Sequence, residues 1–340
     1  MLAMALIRGE GRRRGLMARV RPGLHVVSSH CLRIASGRAG RLPTTPGPNR
    51  QVRSYKLMSS TKEIAITVEG PAWPVPSLRE PRYSQSLERG LAILSCFTPQ
   101  RPVQGIADIA DELGMSRSTT HRYVITLVAL GYLEQGASRK YRLGLRVTDL
   151  GMSALNSTGL REHSHSYLEE LRRRTGFTVS LSVLDGADIV YIDRARSFRR
   201  GQSMIDLDLQ PGSRLPAYCT SMGKLLLAHL PVGERDERIA EMTLTKHGPN
   251  TIMSKSALRK ELDDVFEFGL AVNDQELAPE LYSISAPVRD GTREVLAAVN
   301  MATHSSMISL GELVDELGPH LISTADQISA RLGYRREDEL

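Results

Sequence analysis

Hydrophobic residues recur at helical spacing in two short segments of the first half of the chain. The first segment runs from Ile106 to Leu113, after which Gly114 is placed to end a helix in the left-handed conformation. Ser116 follows and can accept hydrogen bonds from the first amides of a second helix, which the pattern extends to about Gly131. Two helices separated by so short a turn predict a helix-turn-helix.

The second helix has one apolar and one polar side when successive residues are placed about 100° apart. Its inner side contains Thr120, Val124, Leu127, Val128 and Gly131. Its outer side carries hydroxyl groups and a guanidinium group, from Ser118, Thr119, Arg122 and Thr126. Such a surface suits the major groove of DNA, because Arg, Ser and Thr donate hydrogen bonds to phosphates and base edges. The alternative is a helical hairpin whose polar side faces solvent.

Two short runs of alternating residues, 132–134 and 140–143, follow the second helix and flank a turn at Gly136. They predict a β-hairpin whose tip carries Arg139 and Lys140. Directly behind a helix-turn-helix, such a hairpin forms a wing that places its cations beside neighbouring phosphates.

A capped amphipathic helix is predicted in front of these elements, over residues 86–97. Its apolar side consists of Leu87, Leu91, Leu94 and Phe97. Three helices followed by a hairpin predict a winged helix-turn-helix over residues 83–144. Within it, Arg117 is expected to contact DNA phosphates, as are the cations of the wing.

A narrow apolar stripe predicts a linker helix within residues 145–158. Its members lie at i, i+4, i+7 and i+11, namely Leu143, Val147, Leu150 and Ala154. So narrow a stripe is typical of a helix that pairs with its own copy, and a two-fold operator would require a dimer in any case. The alternative is that the stripe packs only on its own domain.

Residues 159–335 show a mixed helical and alternating pattern. In the run FTVSLSVL, apolar Phe177, Val179, Leu181 and Val183 alternate with polar Thr178, Ser180 and Ser182, which predicts a half-buried strand. Further strands are predicted at 189–193, 204–209, 270–273, 282–288 and 295–302, and helices at 221–230, 254–268 and 310–332. Short links such as Asp290-Gly291 favour antiparallel pairing, so the fold class is α+β and not a doubly wound α/β fold.

The stretch LPAYCTSMGKLLLA indicates a small-molecule site. Thr220 or Ser221 would cap a helix whose first amides point outward with the positive end of the helix dipole, which favours a carboxylate. Tyr218 and Cys219 immediately precede this cap. The alternative is an ordinary capped helix that binds no ligand.

A second group of candidate effector-binding residues lies in NDQELAPELYSIS. Asn273 and Glu276 belong to a predicted loop, and Ser283 and Ser285 project from one face of the next strand. Glu276 has the alternative of being merely solvated.

Charge is distributed unevenly along the 340 residues, whose formal net charge is +6. Residues 1–80 hold 14 of the 44 Lys and Arg and 4 of the 38 Asp and Glu, which leaves 30 against 34 for the rest. The overall basic character is therefore no argument for DNA binding. Residues 1–82 are expected to form no packed core. They represent upstream codons before a true start at Met58, a basic disordered arm, or a targeting segment.

Few features favour an enzyme or a metalloprotein. Cys31, Cys96 and Cys219 fit neither a metal nor a disulfide spacing, so we expect a cytoplasmic protein without metal or cofactor. His163 and His165 point in different directions on a helix and therefore should not bind the same metal ion. Gly223-Lys224 lacks the remaining residues of a phosphate-binding loop, and no G-x-S-x-G elbow occurs. Cys219 is interpreted as a small buried hydrophobe, with a nucleophile or redox sensor as the alternative. No apolar run reaches the roughly 20 residues that span a bilayer.

The sequence resembles the IclR family of bacterial transcriptional regulators. The match is carried by SLERGLAIL, IADIADELGMSRSTTHRYVITLVALGYL, YRLG, LPAYCTSMGKLLLAHLP, GLAVNDQELAPELYSISAPV and REVLAAVNMA, and it covers residues 83 to about 334. The resemblance implies a GAF-like ligand-binding domain after the winged helix-turn-helix. It also implies that Asn273 and Ser283 occupy positions that hold small organic acids, where the family can have a carboxylate and a thiol. Within the family, the chain is most similar to regulators of aromatic-acid catabolism by the β-ketoadipate (protocatechuate) route.

These patterns predict a transcriptional regulator of aromatic-compound catabolic genes. Ser118, Thr119 and Arg122 would contact bases of a two-fold operator, and a small aromatic carboxylic acid would bind the second domain. The chain would act as a homodimer or a dimer of dimers, with double-stranded DNA as partner and without a membrane. The alternative is an architectural DNA-binding protein whose C-terminal domain only oligomerises.

Overall fold

A computed structural model describes residues 50–58, 63–72, 83–136, 138–197 and 209–335 of the chain. Strands β1 (Arg50–Met58) and β2 (Glu63–Ala72) pair antiparallel. The sequence analysis predicted no strand within residues 1–82, and its expectation that they form no packed core stays a prediction. The alternation EIAITVEG within β2 favours a strand, whereas the Arg- and Pro-rich composition around it argues against one. The rest of residues 1–82 before Tyr83 lies outside the described part of the chain.

The next elements form the winged helix-turn-helix that the sequence predicts. They are α1 (Gln85–Ser95), α2 (Ile106–Leu113), α3 (Arg117–Ala129) and the antiparallel wing strands β3 (Leu133–Gln135) and β4 (Tyr141–Leu143). Gly114 ends α2 in the left-handed region with φ 63°, and Ser116 caps α3, as predicted. Ile93, Ile109, Val124 and Leu133 form the centre of a core shared by all three helices and the wing.

The buried side of α1 differs from the predicted one. Leu87 and Leu91 are 64% and 46% exposed, whereas Ile93 and Cys96 are buried against the other two helices. Two apolar stripes run along this helix, and periodicity alone does not tell which one faces the core. The predicted stripe is therefore wrong at its first two positions.

The linker helix α4 (Arg146–Asn156) contains no buried residue. Leu150 of the apolar stripe is 57% exposed, and the neighbouring Leu145 is 82% exposed. The alternative that this stripe packs on its own domain is therefore wrong. The start of α4 is fixed instead to the end of α3, because Arg146 Nη1 donates a 2.8 Å hydrogen bond to the carbonyl oxygen of Leu130.

The C-terminal part is built on a six-stranded antiparallel sheet. Its strands are β5 (Thr178–Asp185), β6 (Asp188–Ala195), β7 (Arg214–Pro216), β8 (Ala271–Asp274), β9 (Leu281–Arg289) and β10 (Val295–His304), in the order β7-β6-β5-β10-β9-β8. Antiparallel pairing between every pair of neighbours confirms the α+β class. Part of the predicted strand 204–209 lies outside the described residues.

Helices cover both faces of this sheet. They are α5 (Leu160–Thr175), α6 (Ser221–Ala228), α7 (Val232–Glu241), α8 (Lys255–Phe268) and α9 (Gly318–Arg331). A 3₁₀ turn at Ala217–Cys219 precedes α6, and the stretch from Leu310–Glu312 through a π-helical turn at Leu313–Leu317 leads into α9. Charged α7 and short β7 were not predicted from the sequence, because neither has a clear apolar period.

Strand β5 is buried on both faces, which corrects the half-buried interpretation. Val179 and Leu181 belong to the core that includes residues of α5 and α9. Ser180 and Ser182 are also buried, and Ser182 Oγ lies 3.0 Å from Met222 Sδ in α6. A face of small polar residues therefore lies beneath a helix and not in solvent.

Gly223 permits the close approach of α6 to the turn before it. A Cβ atom at Gly223 would lie 2.2 Å from the carbonyl oxygen of Ala217 and 2.3 Å from its Cα, both backbone atoms. We expect Gly223→Ala to lower the free energy of unfolding by about 1–3 kcal/mol, measured by urea denaturation. Gly233→Ala in α7 is the matched control, because its Cβ would meet no atom within 4 Å. Equal stability of the two variants would contradict this account.

Candidate DNA interface and ligand pocket

The start of α3 is organised by the hydroxyl group of its capping residue. Ser116 Oγ accepts a 3.2 Å hydrogen bond from the backbone N–H of Thr119. The same hydroxyl lies 3.1 Å from Ser118 Oγ and donates a 2.8 Å bond to Thr119 Oγ1. Ser118 is exposed and Thr119 half-buried, so the predicted hydroxyl face begins with a small hydrogen-bonded cluster at the helix N-terminus.

Exposed cations are present on both α3 and the wing. Arg117 and Arg122 are exposed on α3, and Arg139 and Lys140 are exposed at the turn between the wing strands. Within the described residues none of these four side chains is part of an ion pair, whereas Arg142 of the wing is paired with Glu134 at 2.8 Å. The predicted phosphate-contacting residues therefore retain an uncompensated positive charge.

Two further residues on the exposed side of α3 were not included in the predicted interface. His121 and Ile125 are both exposed, and Ile125 keeps 44% of its accessible surface. The outer side of α3 was assigned to DNA binding because of its hydroxyl and guanidinium groups. The aliphatic Ile125 among them therefore received no functional assignment.

A pocket lies in the C-terminal part, between the polar face of the sheet and the N-terminus of α6. It encloses about 440 Å³, open solvent at its mouth included. Its lining consists of Thr178, Ser180, Tyr191, Arg194, Leu209, Thr220, Ser221, Met222, Asn273, Leu277, Leu281, Ser283, Asn300 and Ala302. Four of the predicted effector-binding residues are among them: Thr220, Ser221, Asn273 and Ser283. Among the described residues, this lining contains one cation, Arg194, and no acidic side chain.

Hydrogen bonds between buried side chains seat α6 on the sheet at this pocket. Ser221 Oγ lies 2.8 Å from Ser283 Oγ and accepts a 2.7 Å hydrogen bond from Ser285 Oγ. Asn273 Nδ2 donates a 2.6 Å bond to the carbonyl oxygen of Cys219, directly before the helix. Thr220 caps α6 by accepting a 3.1 Å bond from Gly223 N, as the sequence predicts.

Asn300 and Arg194 are pocket residues that the sequence analysis missed. Asn300 is 5% exposed and stands in β10 opposite Ser180 on one side and Ser285 on the other. Within the described residues its Oδ1 has no hydrogen-bond partner. Arg194 is paired in register with Ser180 and donates a 3.2 Å hydrogen bond to the carbonyl oxygen of Leu209. An irregularity in the β5–β6 register near Ser182 makes the facing of β6 side chains unpredictable from alternation.

Three predicted effector-binding residues lie outside the pocket lining. Tyr218 donates a 2.7 Å hydrogen bond to the carbonyl oxygen of Thr245. Ser285 contacts Ser221 from the sheet. Glu276 is buried and binds Lys224, so it is not a solvated loop residue. Burial raises the pKa of the adjacent Cys219 thiol, which favours the buried-hydrophobe interpretation over a nucleophile.

Lys224 connects α6 to the loop that follows β8, the strand of the pocket residue Asn273. Its ammonium group is 1% exposed and bonds to Glu276 and, at 2.8 Å, to Glu261 of α8. The backbone N–H of Glu276 donates a 3.2 Å bond to Asn273 Oδ1. Burial raises the pKa of Glu276 to about 7, and Lys224 opposes this effect. The ion pair therefore positions a pocket residue without lining the pocket.

No helix in the described part of the chain is both long and apolar enough to span a bilayer.

His165 is one of the two histidines that were weighed as metal ligands. Its Nδ1 atom lies 2.7 Å from Oδ2 of Asp193.

Comparison with known proteins places both parts of the chain in one family. The model of the IclR helix-turn-helix domain matches residues 86–137, and that of the bacterial transcriptional regulator IclR C-terminal domain matches residues 152–330. The Pca regulon regulatory protein of Pseudomonas putida is 33% identical over 253 residues, which cover 74% of this chain and 86% of the relative.

Solved structures show the same relationship. A structure from Rhodococcus sp. RHA1 is 37% identical with a TM-score of 0.65, over 74% of this chain and 98% of that one. An IclR homologue from Microbacterium hydrocarbonoxydans, complexed with 4-hydroxybenzoate, is 26% identical with a TM-score of 0.64, over 73% and 98%.

Removal of the Lys224 ammonium group should destabilise the fold around the pocket. We expect Lys224→Met to lower the free energy of unfolding by about 3–5 kcal/mol, because it leaves Glu276 buried without its partner. Thermal and urea unfolding measure the effect. Lys246→Met removes an exposed lysine and should change stability little. An unchanged stability of Lys224→Met would show that the ion pair contributes nothing.

Proposed function

The chain belongs to the IclR family of bacterial transcriptional regulators, and from this premise we propose that a small aromatic carboxylic acid controls its contact with DNA. The observation that carries the proposal is the pocket beneath α6, whose described lining residues combine a helix N-terminus with Arg194 and include no acidic residue. An anion is the ligand that such a site stabilises, because amide dipoles and guanidinium both favour negative charge.

The remaining pocket residues favour a ligand with a flat apolar body. Tyr191, Met222, Leu277 and Leu281 provide apolar surface beside the polar sheet face. The homologue from Microbacterium hydrocarbonoxydans binds 4-hydroxybenzoate, an acid of this shape. We place the carboxylate at the first amides of α6 and the Ser221 hydroxyl, with the guanidinium group of the lining residue Arg194 as a further donor. Asn300 offers an amide to a second polar group on the ring.

At the other site, α3 would enter the major groove of an operator. Ser118, Thr119 and Arg122 would contact base edges, and Arg117 with the wing residues Arg139 and Lys140 would contact phosphates. The absence of competing ion pairs at these four cations within the described residues supports this assignment. The proposed targets are catabolic genes for aromatic compounds, and the site of action is the bacterial cytoplasm.

The exposed stripe on α4 supports a homodimer on a two-fold operator, and a dimer of dimers is compatible with it. The exposed Leu150 side chain becomes buried only when another surface covers it. A second copy of the chain offers the same apolar stripe for this contact. Arg146 would then transmit movement of α4 to the end of α3 through its bond to Leu130. The effector need only bind one arrangement of the two DNA-binding domains better than the other.

The pocket distinguishes this proposal from its two alternatives. An architectural protein whose second domain only oligomerises would have no use for an anion site lined by Asn300, whose buried Oδ1 has no hydrogen-bond partner among the described residues. An enzyme would need a reactive group there, and in the part of the lining that the structure describes there is no Cys, His, Asp, Glu or Lys. We therefore propose a non-catalytic ligand site. A thermal-shift screen with aromatic acids tests it, since ligand at 100 times its Kd stabilises by about 2.7 kcal/mol.

Loss of the pocket cation should weaken binding of the acid. We expect Arg194→Met to raise the Kd for 4-hydroxybenzoate about tenfold or more, measured by calorimetry, because a charge-assisted contact is lost. Binding of the neutral methyl ester should change little. Arg174→Met, on the α5 side of the sheet, is the matched control. The carboxylate assignment fails if acid and ester lose affinity equally.

Loss of the central α3 cation should weaken DNA binding and leave the fold intact. We expect Arg122→Ala to lower operator affinity by about 1–3 kcal/mol in fluorescence anisotropy titrations. Arg142→Ala is the control, because Glu134 already neutralises that guanidinium group. Full affinity and specificity in Arg122→Ala would refute the assigned base contact.

A further inference from the structure

Ile125 is an aliphatic residue on the outer ridge of α3. It follows Ser118 and Arg122 at i+7 and i+3, so the three side chains lie along one side of the helix. The buried residues Thr120, Val124 and Leu127 occupy the other side. Ile125 is 44% exposed and is absent from the core that α3 shares with its neighbours.

The neighbouring helices give Ile125 no structural role. Helix α1 lies on the side of Tyr123, since a hydrogen bond from Ser86 and contact with Arg89 lower the pKa of that phenol. On the helical wheel, Tyr123 and Ile125 are about 160° apart. Ile125 therefore lies away from α1 and from the core.

We propose that Ile125 contacts the C5-methyl group of a thymine in the major groove. Thymine alone among the four bases presents a methyl group there, and an aliphatic side chain can exclude water from it. The inference rests on the proposed groove contact of α3 and deepens it by naming a base. The hydroxyl and guanidinium groups on the same ridge provide hydrogen bonds, and Ile125 adds discrimination of thymine from cytosine and uracil.

Replacement of thymine by uracil removes this methyl group and keeps the base-pairing edge. The probe is the duplex that the wild-type chain selects from a random-sequence pool, prepared with either dTTP or dUTP. We expect the wild type to bind the thymine duplex roughly fourfold more tightly for each buried methyl group. Ile125→Ala should bind the two duplexes with equal affinity, close to the wild-type affinity for the uracil duplex.

Leu130→Ala is the matched control. Leu130 is an exposed aliphatic residue, 49% accessible, at the C-terminal end of the same helix and off this ridge. It should keep the wild-type ratio of thymine to uracil affinity. Ile125→Ala should retain the fold, because alanine is the best helix former, and circular dichroism checks this.

The outcomes separate the inference from the function on which it rests. If the wild type shows no preference for thymine, or if Ile125→Ala keeps the wild-type ratio, the Ile125 assignment is overturned while DNA recognition stands. If no duplex is selected from the pool, the proposed DNA contact and the assignment fall together. Loss of the ratio in Ile125→Ala alone supports the assignment.

Discussion

Helix α6 is held over the sheet by hydrogen bonds among buried hydroxyl and amide groups, and the ligand pocket depends on that attachment. Ser221 at the first turn contacts Ser283 and Ser285 on β9, and Asn273 on β8 binds the carbonyl oxygen before the helix. Buried polar groups cost free energy unless they are paired, so these contacts fix one position of the helix. Gly223 allows that position, because a Cβ atom here would collide with the backbone of Ala217.

The row of polar residues on the sheet face continues along β5 and β10 and lines the pocket. Among the described residues, the Oδ1 atom of the buried Asn300 in this row has no hydrogen-bond partner. In the proposed function, the acid would form hydrogen bonds with this row. Lys224 holds Glu276, whose backbone N–H bonds to Asn273, so the ion pair positions this pocket residue independently of a ligand.

The sequence predicted those features of both sites that depend only on residues close together in the chain. Gly114, Ser116 and Thr220 end or cap helices as expected, because a cap depends on residues within one turn. The pocket residues Arg194 and Asn300 were missed, since their facing depends on strand register set far away in the chain. Glu276 was ambiguous for a similar reason: its burial requires Lys224, 52 residues earlier.

The distribution of exposed aliphatic residues follows from the proposed assembly more readily than from a single chain. Core packing accounts for one stripe of α1, yet Leu87 and Leu91 lie on a second stripe, and Leu145 and Leu150 are exposed at the linker. Such residues lose apolar contact with water only when another surface covers them. Because the linker is fixed to α3 through Arg146, any change in how two copies pack there alters the spacing of their recognition helices. Effector response in this proposal is therefore a property of the pair, although each chain has its own pocket.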